Sequence, residues 1–110
     1  MNSSISFHPA QNHVGDVGTE IRAQIRQGCR PQNLTALKSA AIKIQRPDGS
    51  LAVLPATVLG APADGLLTTE VTEGTFTADG EYIFQPAIDL GAWRGHASVQ
   101  LVPVRCSLPC

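Results

Sequence analysis

Hydrophobic and polar residues alternate by twos over much of this chain. Across residues 20–26, Ile21, Ala23 and Ile25 fall on one side and Glu20, Arg22, Gln24 and Arg26 on the other. That is the pattern of a strand with one buried and one wet face. The glycine-bounded turn Gly15-Asp-Val-Gly18 leads into it, and Gly28, Pro31 and Asn33 break it. Residues 40–46 alternate again, with Ile42 and Ile44 on the buried side. Pro47-Asp-Gly49 then supplies turn chemistry: proline presets φ, aspartate bonds its own backbone, glycine tolerates positive φ. Residues 51–59 form the returning strand, in which Pro55 marks an edge or a bulge. Residues 66–71 and 81–88 read as further strands, the second with Tyr82, Phe84, Pro86 and Ile88 on one face. Residues 89–96 turn through Gly91 and Gly95, and residues 96–104 are the last strand.

The remaining segments connect these strands. Residues 1–14 mix polar groups with Ile5, Phe7 and Pro9 and read as a short edge strand or an arm. Residues 33–38 form a connecting turn or one helical turn, and residues 60–65 a loop. No stretch holds a helical apolar period over a helix's usual length. Six or seven short strands, spaced by turn signals every ~8–12 residues, predict an antiparallel β-sandwich. The domain then spans 15–105, with an arm or edge strand at 1–14 and a tail at 106–110.

The composition fits one such domain. The chain has 110 residues, 43% of them hydrophobic and 15% charged, with a formal net charge of -1. Scattered basic residues without net positive charge argue against a nucleic-acid binder. No apolar run approaches the roughly 20 residues of a membrane helix, so no membrane partner is expected. The first residues lack the basic and apolar regions of a secretory signal, which predicts synthesis in a cytoplasm.

Candidate chemistry is sparse. Cys29, Cys106 and Cys110 supply one close pair, whereas a structural zinc takes four Cys or His ligands. Free thiols are the default in a cytoplasm; a disulfide and a shared metal site are the alternatives. His8, His13 and His96 read as surface residues, because no nucleophile motif or phosphate loop accompanies them. Asp48, Asp64, Asp79 and Asp89 fall in turns, where aspartate bonds its own backbone. No enzyme activity, cofactor or metal is expected. Trp93, in the loop Leu90-Gly-Ala-Trp-Arg-Gly95, either packs on the sandwich or anchors a partner. With Arg94 and His96 it forms the one cluster suited to a glycan or peptide.

Four motifs in order carry a resemblance: Gly15-Asp-Val-Gly-Thr-Glu-Ile-Arg22, Asn33-Leu-Thr-Ala-Leu37, Ile42-Lys-Ile-Gln-Arg-Pro-Asp-Gly49 and Thr77-Ala-Asp-Gly-Glu-Tyr82. Together they resemble the immunoglobulin-like domain at the N-terminus of the baseplate upper protein of tailed bacteriophages, and related small virion proteins. The resemblance spans residues 12–105. It implies an all-β, immunoglobulin-like sandwich of about seven strands, synthesised in a bacterial host and built into a virion. The implied role is a non-enzymatic adaptor in the tail or baseplate. Its partners are other virion proteins, tail, baseplate or major capsid subunits, and further copies of itself in the particle. The alternatives are a decoration or cement protein on the capsid exterior, and a glycan- or peptide-binding module for host recognition. Unlike the baseplate protein, this sequence stops within a few residues of its last strand. Contacts are expected from the arm, the tail and the exposed loop: Ile5, Phe7, Trp93, Arg94, Cys106, Leu108 and Cys110.

Overall fold

The computed structural model describes residues 1–8 and 12–106. Its strands are β1 (Asn2–His8), β2 (Glu20–Gln27), β3 (Arg30–Pro31), β4 (Ser39–Gln45), β5 (Leu51–Val58), β6 (Leu66–Glu70), β7 (Gly80–Asp89), β8 (Arg94–His96) and β9 (Gln100–Val104). The one helical element among the described residues is a 3-10 turn, Pro62–Asp64. Every strand pairing is antiparallel.

The strands make an all-β, sandwich-like fold, one antiparallel sheet curled into two layers. In one layer β2 lies between β1 and β6, with β3 extending the row. In the other, β4 lies between β5 and β7, and β8 and β9 follow one another along the far side of β7. Counting β8 and β9 as one interrupted strand, and β3 as a two-residue extension, leaves seven principal strands. β5 joins the layers: it pairs with β4 from Leu51 to Ala56, then with β6 at Thr57 and Val58. The predicted alternation holds, because Ile21, Ile25, Ile42, Ile44, Tyr82, Phe84 and Ile88 all face the core.

Two aromatic contacts span that core. Phe7 meets Phe84 edge-on at 5.4 Å, and Phe76 meets Tyr82 edge-on at 5.3 Å, the geometry favoured by the ring quadrupoles. Tyr82 also closes a corner before β7. Its hydroxyl donates to the Ala78 carbonyl at 2.7 Å and accepts from the amides of Thr77 and Ala78 at 3.2 and 3.3 Å. A tyrosine at this point, bonded back to the preceding loop, is a hallmark of immunoglobulin-type sandwiches.

The N-terminal segment departs from the picture of a contact arm. β1 pairs with β2 along its whole length, from Asn2↔Arg26 to His8↔Glu20. Ile5 and Phe7 are only 8% and 9% exposed, so neither is available to a partner. Polar Ser4, Ser6 and His8 face outward instead. Residues 12–14 then cross to the opposite layer, where Arg105 N donates to Asn12 O at 3.0 Å and Val14 N to Arg105 O at 2.9 Å. A further difference lies at residues 94–96, expected within a turn. They form β8, a strand of three residues, too short for period-two patterning to register.

Local chemistry explains the motifs that carry the resemblance. Asp16 accepts the His13 amide at 2.9 Å, and Gly18, at φ +87°, donates its amide to Val71 O at 2.8 Å. Asn33 Oδ1 accepts both the amide and the hydroxyl of Thr35, a turn rather than a helix. Asp48 does the same for Ser50. Arg46 ties the 47–50 turn to the loop before β7 by donating to Thr75 O and Gly74 O at 3.1 and 2.9 Å.

Candidate docking face and charged trough

The outward positions of the two layers differ in chemistry. On the β1-β2-β6 layer they are Ser4, Ser6, His8, Glu20, Arg22, Gln24, Thr68 and Glu70. Arg22 Nε donates to Glu20 Oε1 there. That bond holds the Glu20 carboxyl below its ordinary value. On the other layer, register sets Leu51, Gln45, Ile83 and Leu101 in one row across β5, β4, β7 and β9. Leu51, Val53 and Leu101 are 69%, 57% and 55% exposed. An apolar band, interrupted on β4 by Gln45 and Lys43, against a polar opposite face is the composition of a contact surface.

The band runs to an open edge. From Leu51 to Leu54, β5 has β4 on one side and no strand on the other among the described residues. Pro55 ends this edge, because it has no amide to extend the ladder. Its carbonyl is taken by Thr69 Oγ1 at 2.8 Å. An unpaired, apolar edge is where another chain's strand adds most readily.

A trough of about 620 Å³ crosses the same face, lined by Ser39, Ala41, Lys43, Ala87, Arg94 and His96 among others. Its floor is the row Ala41↔Ala87↔His96; Ser39↔Asp89↔Arg94 and Lys43↔Gln85 flank it. Lys43 Nζ lies 2.9 Å from His96 Nε2. Asp89 is engaged by Arg94 Nε at 3.4 Å and by the Gly91 amide at 2.9 Å.

Trp93, Arg94 and His96 do not form one cluster. Arg94 and His96 line the trough, whereas Trp93 lies beside Met1, Gln27, Gly28 and Leu90 in a separate depression. Trp93 is 41% exposed and rests over Gly95, where an added Cβ would stand 2.6 Å from the indole. It therefore packs on its own chain and keeps an exposed edge. Cys29 is an exposed free thiol on the β2–β3 turn. Cys106 is disulfide-bonded, which corrects the expectation of free thiols at that position. Leu108 and Cys110 lie outside the described residues. Sequence reading missed Lys43, whose place opposite His96 depends on strands far apart in the chain.

No group of three or more His, Cys, Asp or Glu side chains able to hold a metal occurs among the described residues. No helix among them is long and apolar enough to cross a membrane. No family model matches the sequence, and no curated protein matches it closely enough to lend it a function.

Proposed function

We propose that this chain is a non-enzymatic structural component of a tailed-phage virion, an immunoglobulin-like adaptor that docks on tail or baseplate subunits. The observation that carries the docking role is the apolar band Leu51, Val53, Ile83 and Leu101, open at the β5 edge. Exposed apolar rows beside an unpaired strand suit a partner that adds both side-chain burial and main-chain hydrogen bonds. The virion setting rests on the four-motif resemblance, whose residues form the turns that shape the sandwich. The partner surface is the β5-β4-β7-β9 face, in place of the N-terminal contacts expected from Ile5 and Phe7.

The test uses particles banded by density and probed for the chain by mass spectrometry. Wild type is expected with the tail fraction. The variant Val53→Asp should melt as wild type does yet be missing from particles. Recovery on tail-less heads would favour the capsid-decoration reading instead. Absence of wild type from every particle fraction would refute a virion role.

A further inference from the structure

We propose that the trough across β4, β7 and β8 is a binding site for a carboxylate-bearing saccharide, with Lys43, His96 and Arg94 as its recognition groups. The site adjoins the docking band, with Lys43 in register opposite Val53, and the isolated chain presents it.

Three features of the trough select this ligand. The first is its floor. Ala41 and Ala87 occupy the centre, so no large side chain fills the space between the flanking rows; Gly95 pairs with buried Ile88 and is covered by the Trp93 ring on the other side. Ser39 and Lys43 are four residues apart on β4, which separates their backbones by about 13 Å at the usual strand rise. An ion of acetate size cannot span that distance; a ligand with a flat body can.

The second feature is an excess of donors. With Lys43 as the ammonium, Nζ donates and His96 Nε2 accepts, which places the imidazole proton on Nδ1. Lys43 has no carboxylate within ion-pair distance among the described residues, whose close pairs are His13–Asp16, Arg22–Glu20 and Arg94–Asp89. Two ammonium protons and the His96 Nδ1–H therefore remain to be used at one wall. At the other, Arg94 spends Nε on Asp89 and keeps its terminal nitrogens for a ligand. The one carboxylate of the trough, Asp89, is already occupied on both oxygens.

The third feature is orientation. The trough lies on the face of the sheet, where the backbones of β4, β7 and β8 are already paired with one another, so its floor offers no ladder to a peptide backbone. A peptide lying there would bring amide donors to a site already rich in donors. A sugar acid instead brings a carboxylate, a ring oxygen and hydroxyls that accept as well as donate.

The test is an amide-shift titration of the full chain with trigalacturonate, maltotriose and triglutamate. Trigalacturonate should move Ala41, Ala87, Gly95 and His96, while maltotriose should bind at least tenfold more weakly. Lys43→Gln should weaken trigalacturonate binding about tenfold, and Ala41→Leu, which fills the floor without changing charge, should abolish it. Arg26→Gln, on the opposite layer, should bind as wild type does. Both trough positions are surface-facing, and an unchanged amide spectrum in each free variant would show that it is folded. Equal affinity for maltotriose, tighter binding of triglutamate, or shifts that avoid the trough at millimolar ligand would overturn the proposal.

Discussion

The side chain of Gln100 takes the place of a strand beside Ile5. Its Oε1 accepts the Ile5 amide at 2.9 Å and its Nε2 donates to the Ile5 carbonyl at 3.0 Å. Two residues earlier along the chain on each side, Ser98 Oγ, just before β9, accepts the Ser3 amide at 3.0 Å, and Ser3 Oγ donates to the Ser98 carbonyl at 3.0 Å. The outer edge of β1 is thus closed against β9 by side chains, so that a strand edge prone to association is covered. Gln100→Ala should destabilise the domain by about 1–3 kcal/mol, the range for a part-buried backbone pair that loses its partner. Faster amide exchange confined to Ile5 and its neighbours would locate the effect, and unchanged exchange there would refute it.

β1 belongs to the core, and its removal should show it. Deleting residues 1–8 takes out a paired strand together with Ile5 and Phe7, so the cooperative melt should be lost. Phe7→Ala should cost about 3–5 kcal/mol, as for other buried phenylalanines. A sharp, near-wild-type melt of the deletion would contradict this reading.

Tyr82→Phe keeps the ring and removes the corner hydroxyl. The Ala78 carbonyl and the Thr77 and Ala78 amides lose their shared partner. A loss of about 1–3 kcal/mol follows if these groups stay dry, and less if water reaches them. Chemical denaturation checks the size, and exchange at residues 77 and 78 checks the place.

Gly65 sits where no side chain fits. Its φ is +69°, and an added Cβ would lie 2.6 Å from Ile25 O and 2.9 Å from Gln32 O. Those atoms are backbone, and the same carbonyl of Ile25 accepts the Gln32 amide, so they cannot yield cheaply. Gly65→Ala should lower the melting temperature more than Gly49→Ala, where φ is also positive but nothing lies within 4 Å.

Acid should weaken the fold partly through Asp48. Bonds from the Ser50 hydroxyl and amide hold its carboxyl below the ordinary value of 3.8. The folded state then favours the ionised form, so this contribution is present above the unfolded-state value and lost as pH falls through the folded one. Asp48→Asn should flatten the stability profile below about pH 3.8. A carboxyl-carbon titration placing Asp48 at or above that value would contradict the expectation.

How much of this was legible beforehand depends on the range of the interactions. Ile21, Ala23 and Ile25, the pair Ile42 and Ile44, and the row Tyr82, Phe84, Pro86 and Ile88 announce their strands because a strand's two faces alternate residue by residue. Turn residues such as Asp16, Asn33 and Asp48 are equally readable, since each bonds backbone within three positions. These local rules determine an all-β sandwich. They do not say that Ile5 and Phe7 enter the core, because the same alternation serves an arm or a strand until β2 is placed beside it. Nor do they bring Lys43 to His96, 53 residues away, or Gln100 to Ile5, 95 residues away. Those pairs arise from strand register and the stacking of two layers, and register is set by the whole core rather than by any segment of it. The apolar band, the closed seam and the charged trough are therefore properties of the tertiary structure alone.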